Sequence, residues 1–146
     1  MRKILYLYLF MLLFITVSCE QTLENENETN NFPETIMTGE WTVNAYNDND
    51  IIFGPFTIST QISPENKSVY IKDNGGFWKF QTQAEVVNSE DAFETKSSLN
   101  EISSIEAKIK IIDGRVINKD SIYFDIQFED DKTPYGINYT IKGHRR

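Results

Sequence analysis

A chain of 146 residues, 40% hydrophobic and 13% aromatic, has the material for one globular domain, since a domain of roughly 110 residues buries about two thirds of its unfolded surface. Acidic residues (22) outnumber basic ones (14) for a net charge of -8, which excludes a nucleic-acid partner, because phosphate binding needs clustered Lys and Arg. Cys19 is the only cysteine, so no intramolecular disulfide framework exists.

The N-terminus reads as an export signal. Arg2 and Lys3 precede an apolar run from Ile4 to Val17, interrupted only by Thr16 and ended by Ser18 and Cys19. The run is too short and too terminal for a spanning helix. Thr16-Val17-Ser18-Cys19 resembles a bacterial lipobox, with Thr16 where Leu is usual. That resemblance implies cleavage after residue 18 and acylation of Cys19, which would account for a lone thiol in an exported chain. Loss of Arg2 and Lys3 makes the mature protein still more acidic. Residues 19–37 then form a lipidated cysteine and an acidic tether. Glu20 to Asn31 lack periodicity and have too little apolar area to offset ordering entropy.

From Thr38 the pattern turns to period two, the mark of half-buried strands. Trp41, Val43 and Ala45 share one face, followed by a turn at Asp48-Asn49-Asp50. Gly54-Pro55 opens a second strand with Phe56, Ile58, Thr60 and Ile62 on one face, ended by Ser63 to Asn66. A hairpin follows from Val69 to Gln83, with its turn at Asp73-Asn74-Gly75-Gly76 and with Trp78, Phe80 and Thr82 facing inward. Its second strand can continue through Ala84 and Val86. Phe93 and Thr95 mark a short strand before a polar loop at residues 96–100. Ile105, Ala107, Ile109 and Ile111 form a strand ended by Asp113-Gly114, and Val116 and Ile117 begin its return partner. Ile122, Phe124, Ile126 and Phe128 alternate next, then an acidic turn from Glu129 to Pro134. The last strand carries Tyr135, Ile137, Tyr139 and Ile141 and stops near Gly143. No segment has a helical period.

About eight strands on short turns predict an all-β fold, a sandwich or an up-and-down antiparallel barrel, and only the barrel removes exposed edges. Residues 38–146 form that domain. Gly39-Glu40-Trp41 resembles the Gly-x-Trp motif of the calycin, or lipocalin-like, barrels. That likeness implies that Trp41 plugs one end and that a basic residue near the last strand, Arg145 or Lys142, packs over it. The wider set of Gly39-Glu40-Trp41, Gly54-Pro55-Phe56-Thr57, Asp73-Asn74-Gly75 with Phe77-Trp78 and Phe80, Asp120 to Phe128, and Gly143-His144-Arg145 is similar to the bacterial lipoproteins called lipid-binding putative hydrolases. This resemblance implies a lipocalin-like barrel.

The residues themselves carry no catalytic constellation. The only histidine is His144, close to the C-terminus, and no Gly-x-Ser-x-Gly elbow is present. No spacing suits zinc, and Asp48, Asp50, Asp130 and Asp131 do not match a calcium loop, so neither a metal nor another cofactor is expected. A carboxylate pair for glycoside hydrolysis is a question of three-dimensional separation. What remains is aromatic content. An eight-stranded barrel is wide enough to be filled by side chains or to hold one small ligand. The expected function is binding of a small hydrophobic or amphipathic ligand, with Phe56, Trp78, Phe80, Phe124 and Tyr139 lining the site, in a protein held by an acyl anchor at the outer membrane of a diderm bacterium. The alternative is a solid barrel that contacts a protein or glycan through exposed Tyr46, Tyr70 and Tyr123.

Overall fold

The structure, a computed structural model, describes residues 34–87 and 91–146. The expected signal segment, Cys19 and most of the tether lie outside the described residues. One helical turn, α1 (Glu34–Met37), precedes eight strands: β1 (Gly39–Asn47), β2 (Asp50–Ile62), β3 (Ser68–Asp73), β4 (Gln81–Val86), β5 (Ala92–Leu99), β6 (Lys108–Ile117), β7 (Ser121–Phe128) and β8 (Tyr139–Arg145). Each strand pairs antiparallel with the next, and β8 returns to β1 with Trp41 opposite Arg145, which closes an up-and-down barrel without a free edge.

Period-two patterning explains the interior. Trp41, Val43 and Ala45 of β1, Phe56, Ile58 and Ile62 of β2, and Ile122, Phe124, Ile126 and Phe128 of β7 are all buried, and each Val, Ile or Phe side chain among them stabilises the fold by roughly 1.5 to 3 kcal/mol. Met37, on the turn of helix that was expected to be tether, is also completely buried in this core.

Several expected boundaries are corrected. Turn-forming residues serve inside strands at two places. β2 begins at Asp50 and runs through Gly54-Pro55, where its register against β1 shifts between Val43 and Ala45. Proline is tolerated there because the ladder is already interrupted. β6 likewise runs through Asp113-Gly114, with Asp113 at φ 50° and a register shift between Ile112 and Arg115. The extra residue is taken up as a bulge, so Val116 and Ile117 extend the same strand. Residues 96–99 belong to β5 instead of a loop, Ile105 precedes β6 and is exposed, and Tyr135 and Ile137 lie in the loop before β8, which itself continues past Gly143 to Arg145.

The largest correction concerns the expected tight hairpin. Lys72 pairs with Gln81, leaving residues 74–80 as a loop, so Phe77 and Trp78 are loop residues.

Thr82 faces the interior of β4, is completely buried, and its hydroxyl has no hydrogen-bond partner. A hydroxyl removed from water without compensation destabilises by about 1 to 3 kcal/mol. Thr82→Val, which keeps the shape and deletes the orphan group, is therefore expected to raise the denaturant midpoint; an unchanged or lower midpoint would show that the hydroxyl is satisfied in solution.

Candidate functional site

Because successive strands alternate direction, the turns fall at two ends of the barrel. One end carries α1, the β2–β3 and β6–β7 turns and the C-terminus. The other carries the β1–β2, β3–β4, β5–β6 and β7–β8 connections.

At the first end, Trp41 is completely buried and its Nε1 donates to Thr60 Oγ1 at 2.8 Å. Thr60 Oγ1 in turn donates to the Met37 carbonyl. Arg145 lies over the indole with Cζ 4.2 Å from the ring centroid, and donates from Nη1 to Thr38 O at 2.8 Å, from Nη2 to Ile36 O at 2.6 Å and from Nε to Lys119 O at 2.7 Å. The Gly39-x-Trp41 spacing has a physical reason here. A Cβ on Gly39 would meet Arg145 Nη1, so a side chain there would displace the guanidinium from its place over the indole. Lys142, the other expected partner, lies over the Tyr46 ring at 3.9 Å on the outer wall.

At the opposite end the barrel mouth holds an aromatic cluster. Trp78 stacks on Phe128 at 4.5 Å and an interplanar angle of 8°. Phe77 meets Tyr139 at 5.2 Å, Phe53 at 5.7 Å, Phe56 at 5.8 Å and Phe128 at 6.2 Å, and Phe80 packs 5.7 Å from Phe128 below them. Phe77 and Trp78 are half-buried and come from the 74–80 loop, so this loop acts as a plug.

The plug is held by a carboxylate. Asp73 is 1% exposed. Its Oδ1 accepts from Gly76 N at 2.7 Å, while Oδ2 accepts from the backbone N–H groups of Phe77 and Trp78, both at 2.8 Å, and Lys79 at 3.0 Å. Donors that no ladder supplies are thereby satisfied by one side chain. A Cβ on Gly76 would lie 2.9 Å from the Phe56 ring, so the close approach of loop to barrel wall needs that glycine.

The rim of the cluster is polar on one side. Trp78 Nε1 donates to Asp130 Oδ1 at 3.2 Å, and Tyr139 Oη donates to Asp131 Oδ2 at 2.9 Å. Burial, and then the hydrogen bond to Asp131, push the Tyr139 phenol up to about 12. The acidic turn thus contributes two carboxylates that orient mouth aromatics.

Of the expected ligand-lining residues, Phe56, Trp78, Phe80 and Tyr139 come together at the mouth. Phe124 does not; it is buried deeper, 5.9 Å from Phe93. Phe53, Phe77, Phe128, Asp73, Asp130 and Asp131 complete the arrangement, and their common location follows from the closed antiparallel barrel, which brings the β1–β2, β3–β4 and β7–β8 connections to one end. His144 is exposed on β8 at the far end from the mouth. Among the described residues no group of three or more His, Cys, Asp or Glu side chains is placed to hold a metal ion. Tyr46 and Tyr123 occupy the outer wall, where Tyr123 Oη donates to Asp125 Oδ1 at 3.2 Å, and Tyr70 stands apart from them on β3.

Comparison with known proteins adds one match. The family model described as lipid-binding putative hydrolase matches residues 26–146. No curated protein matches the chain.

Proposed function

Because the chain belongs to the lipid-binding putative hydrolase family, we propose that it binds a single-chain amphipathic lipid at the barrel mouth, in the volume that Phe77 and Trp78 fill when the site is empty. A lipid-binding family and a closed β-barrel fit each other. The observation that carries the finer reading is the aromatic cup of the strand residues Phe53, Phe56, Phe128 and Tyr139, closed by Phe77 and Trp78 from the 74–80 loop, whose last residue, Phe80, packs on Phe128 beneath them. Loops open at far lower free-energy cost than ladders, so an acyl chain can replace the plug's ring contacts with contacts of the same kind. Asp130 and Asp131 at the rim favour a polar end that donates hydrogen bonds and disfavour a carboxylate. A monoacylglycerol meets both requirements better than a fatty acid.

The test is a titration of the purified protein with monoacylglycerol below its aggregation concentration. Bound ligand stabilises by RT ln(1 + [L]/Kd), about 2.7 kcal/mol at a hundredfold excess over Kd, so the unfolding temperature should rise and Trp78 emission should change. Trp78→Phe should erase the fluorescence response and keep the thermal one. Adding bulk to the barrel wall beneath the plug, with Thr82→Trp or Ala84→Phe, should abolish both in a variant that still unfolds cooperatively. Absence of any thermal shift across a panel of monoacylglycerols, fatty acids and sterols would overturn the reading in favour of a surface contact through the outer-wall tyrosines.

The same proposal places the protein on an outer membrane through acyl chains on Cys19, supported by the apolar run ending at Ser18-Cys19. Acyl chains contribute about 0.8 kcal/mol per buried CH₂, so Cys19→Ala should release the protein from the membrane fraction. Retention of that variant, with no acyl mass on the parent, would refute the anchor.

A further inference from the structure

The mouth end is also where the protein exposes apolar side chains in groups. Ile51, Ile52 and Phe53 on the β1–β2 hairpin, and Leu99, Ile102 and Ile105 at the β5–β6 connection, are between 41% and 60% exposed. In an eight-stranded up-and-down barrel these two connections stand across the mouth from one another. A flat apolar phase meeting the barrel end-on would touch both and would cover the aromatic cup between them. The patch is continuous with the cup, since Phe53 is 5.5 Å from Phe56 and 5.7 Å from Phe77.

We infer that this end of the barrel docks onto the surface of a lipid bilayer, with the two apolar tips inserted on either side of the mouth. Charge narrows the surface. The mouth-end connections carry Asp48, Glu101, Glu106, Glu129, Asp130 and Asp131 against Lys79 and Lys132, so a zwitterionic bilayer suits them and an anionic one repels them. Chain length permits the orientation. The described fold begins at Glu34, at the end opposite the mouth, and Glu34 lies 15 positions after Cys19, which spans up to about 50 Å when extended. β1 has 9 residues and rises about 30 Å along its own axis, less along the tilted barrel. A barrel tethered by Cys19 can therefore turn its mouth to the membrane that holds it. Docked this way, the cup exchanges lipid with the bilayer without passage through water.

The two tryptophans report the orientation, because Trp78 sits at the mouth and Trp41 at the far end. The full chain is reconstituted in phosphatidylcholine vesicles with or without bromine on the acyl chains. Bromine should quench the parent and leave Trp78→Phe, which retains only Trp41, nearly unquenched. Paired Ile51→Asp and Ile105→Asp substitutions should abolish the vesicle quenching. Phosphatidylglycerol vesicles should quench less, and added salt should restore the difference. Equal parent emission in brominated and plain vesicles overturns docking. So does undiminished quenching in the paired rim variant, which would assign the signal to lipid inside the cup. Monoacylglycerol in vesicle-free buffer reads the cup separately, and the rim variant should respond to it as the parent does, which also shows that the variant is folded. Vesicle quenching that depends on the rim, with no response to monoacylglycerol, would retain docking and remove the cup.

Discussion

Replacing Trp41 with alanine is expected to lower the unfolding free energy by about 3 to 5 kcal/mol, the range for deleting a fully buried aromatic side chain. Three losses coincide at this position. The indole is completely buried, its Nε1 donates to Thr60 Oγ1 at 2.8 Å, and it supports the guanidinium of Arg145 at 4.2 Å. Arg145→Ala should cost less, about 1 to 3 kcal/mol: the cation–π contact is worth about 1 kcal/mol, and the carbonyls of Ile36, Thr38 and Lys119 lie near enough to the surface to regain water in part. The double variant should fall short of the sum of the two by about 1 kcal/mol, because each single change already removes the shared contact. Additive denaturant midpoints would mean that Arg145 and Trp41 act independently, and a midpoint that barely moves in Trp41→Ala would place the indole at the surface in solution.

The alternation of apolar residues was enough to read β1, β7 and the buried half of β2, since a strand with one wet and one dry face leaves its period in the chain. Gly39-Glu40-Trp41 was legible for another reason, its resemblance to the Gly-x-Trp motif of the calycin barrels, and not through its period. Depth along the barrel was not legible. Phe124 and Phe128 occupy the same face of β7, yet Phe124 packs on Phe93 in the body of the barrel while Phe128 stacks on Trp78 at the mouth. Nothing in the period separates them, because depth depends on register and tilt. Turn chemistry was ambiguous for a different reason. Asp113-Gly114 has the positive-φ tolerance of a hairpin turn, but the same tolerance makes a bulge when the flanking residues on both sides find partners on one neighbour. In the 74–80 loop, Trp78, Phe80 and Thr82 imitate a strand by alternating. A long-range fact decides otherwise: Trp78 has Phe128 to stack on, and Asp73 offers acceptors to successive backbone N–H groups that a ladder would have taken instead.

That carboxylate is where stability and binding should move in opposite directions. Asp73→Ala leaves the N–H groups of Gly76, Phe77, Trp78 and Lys79 without their acceptor. If the loop kept its place, these orphan donors would each cost about 1 to 3 kcal/mol. The loop can instead release them to water by lifting Phe77 and Trp78 out of the mouth, so the total should stop at the cost of losing the plug, about 2 to 4 kcal/mol by the same scale. Asp73→Asn retains one acceptor oxygen and turns an NH₂ toward the donors on its other side, so it should fall between parent and alanine variant. Trp78 emission should shift to the red, and amide exchange should accelerate over residues 74–80 while Trp41 and its neighbours keep their protection. Monoacylglycerol should then bind the alanine variant more tightly than the parent, because the ligand no longer competes with Phe77 and Trp78 for the cup, and affinity rises as the open fraction rises. A variant that is destabilised and also binds more weakly would show that the plug forms part of the binding surface. An unchanged midpoint, with Trp78 emission as in the parent, would show that the loop does not depend on Asp73 at all.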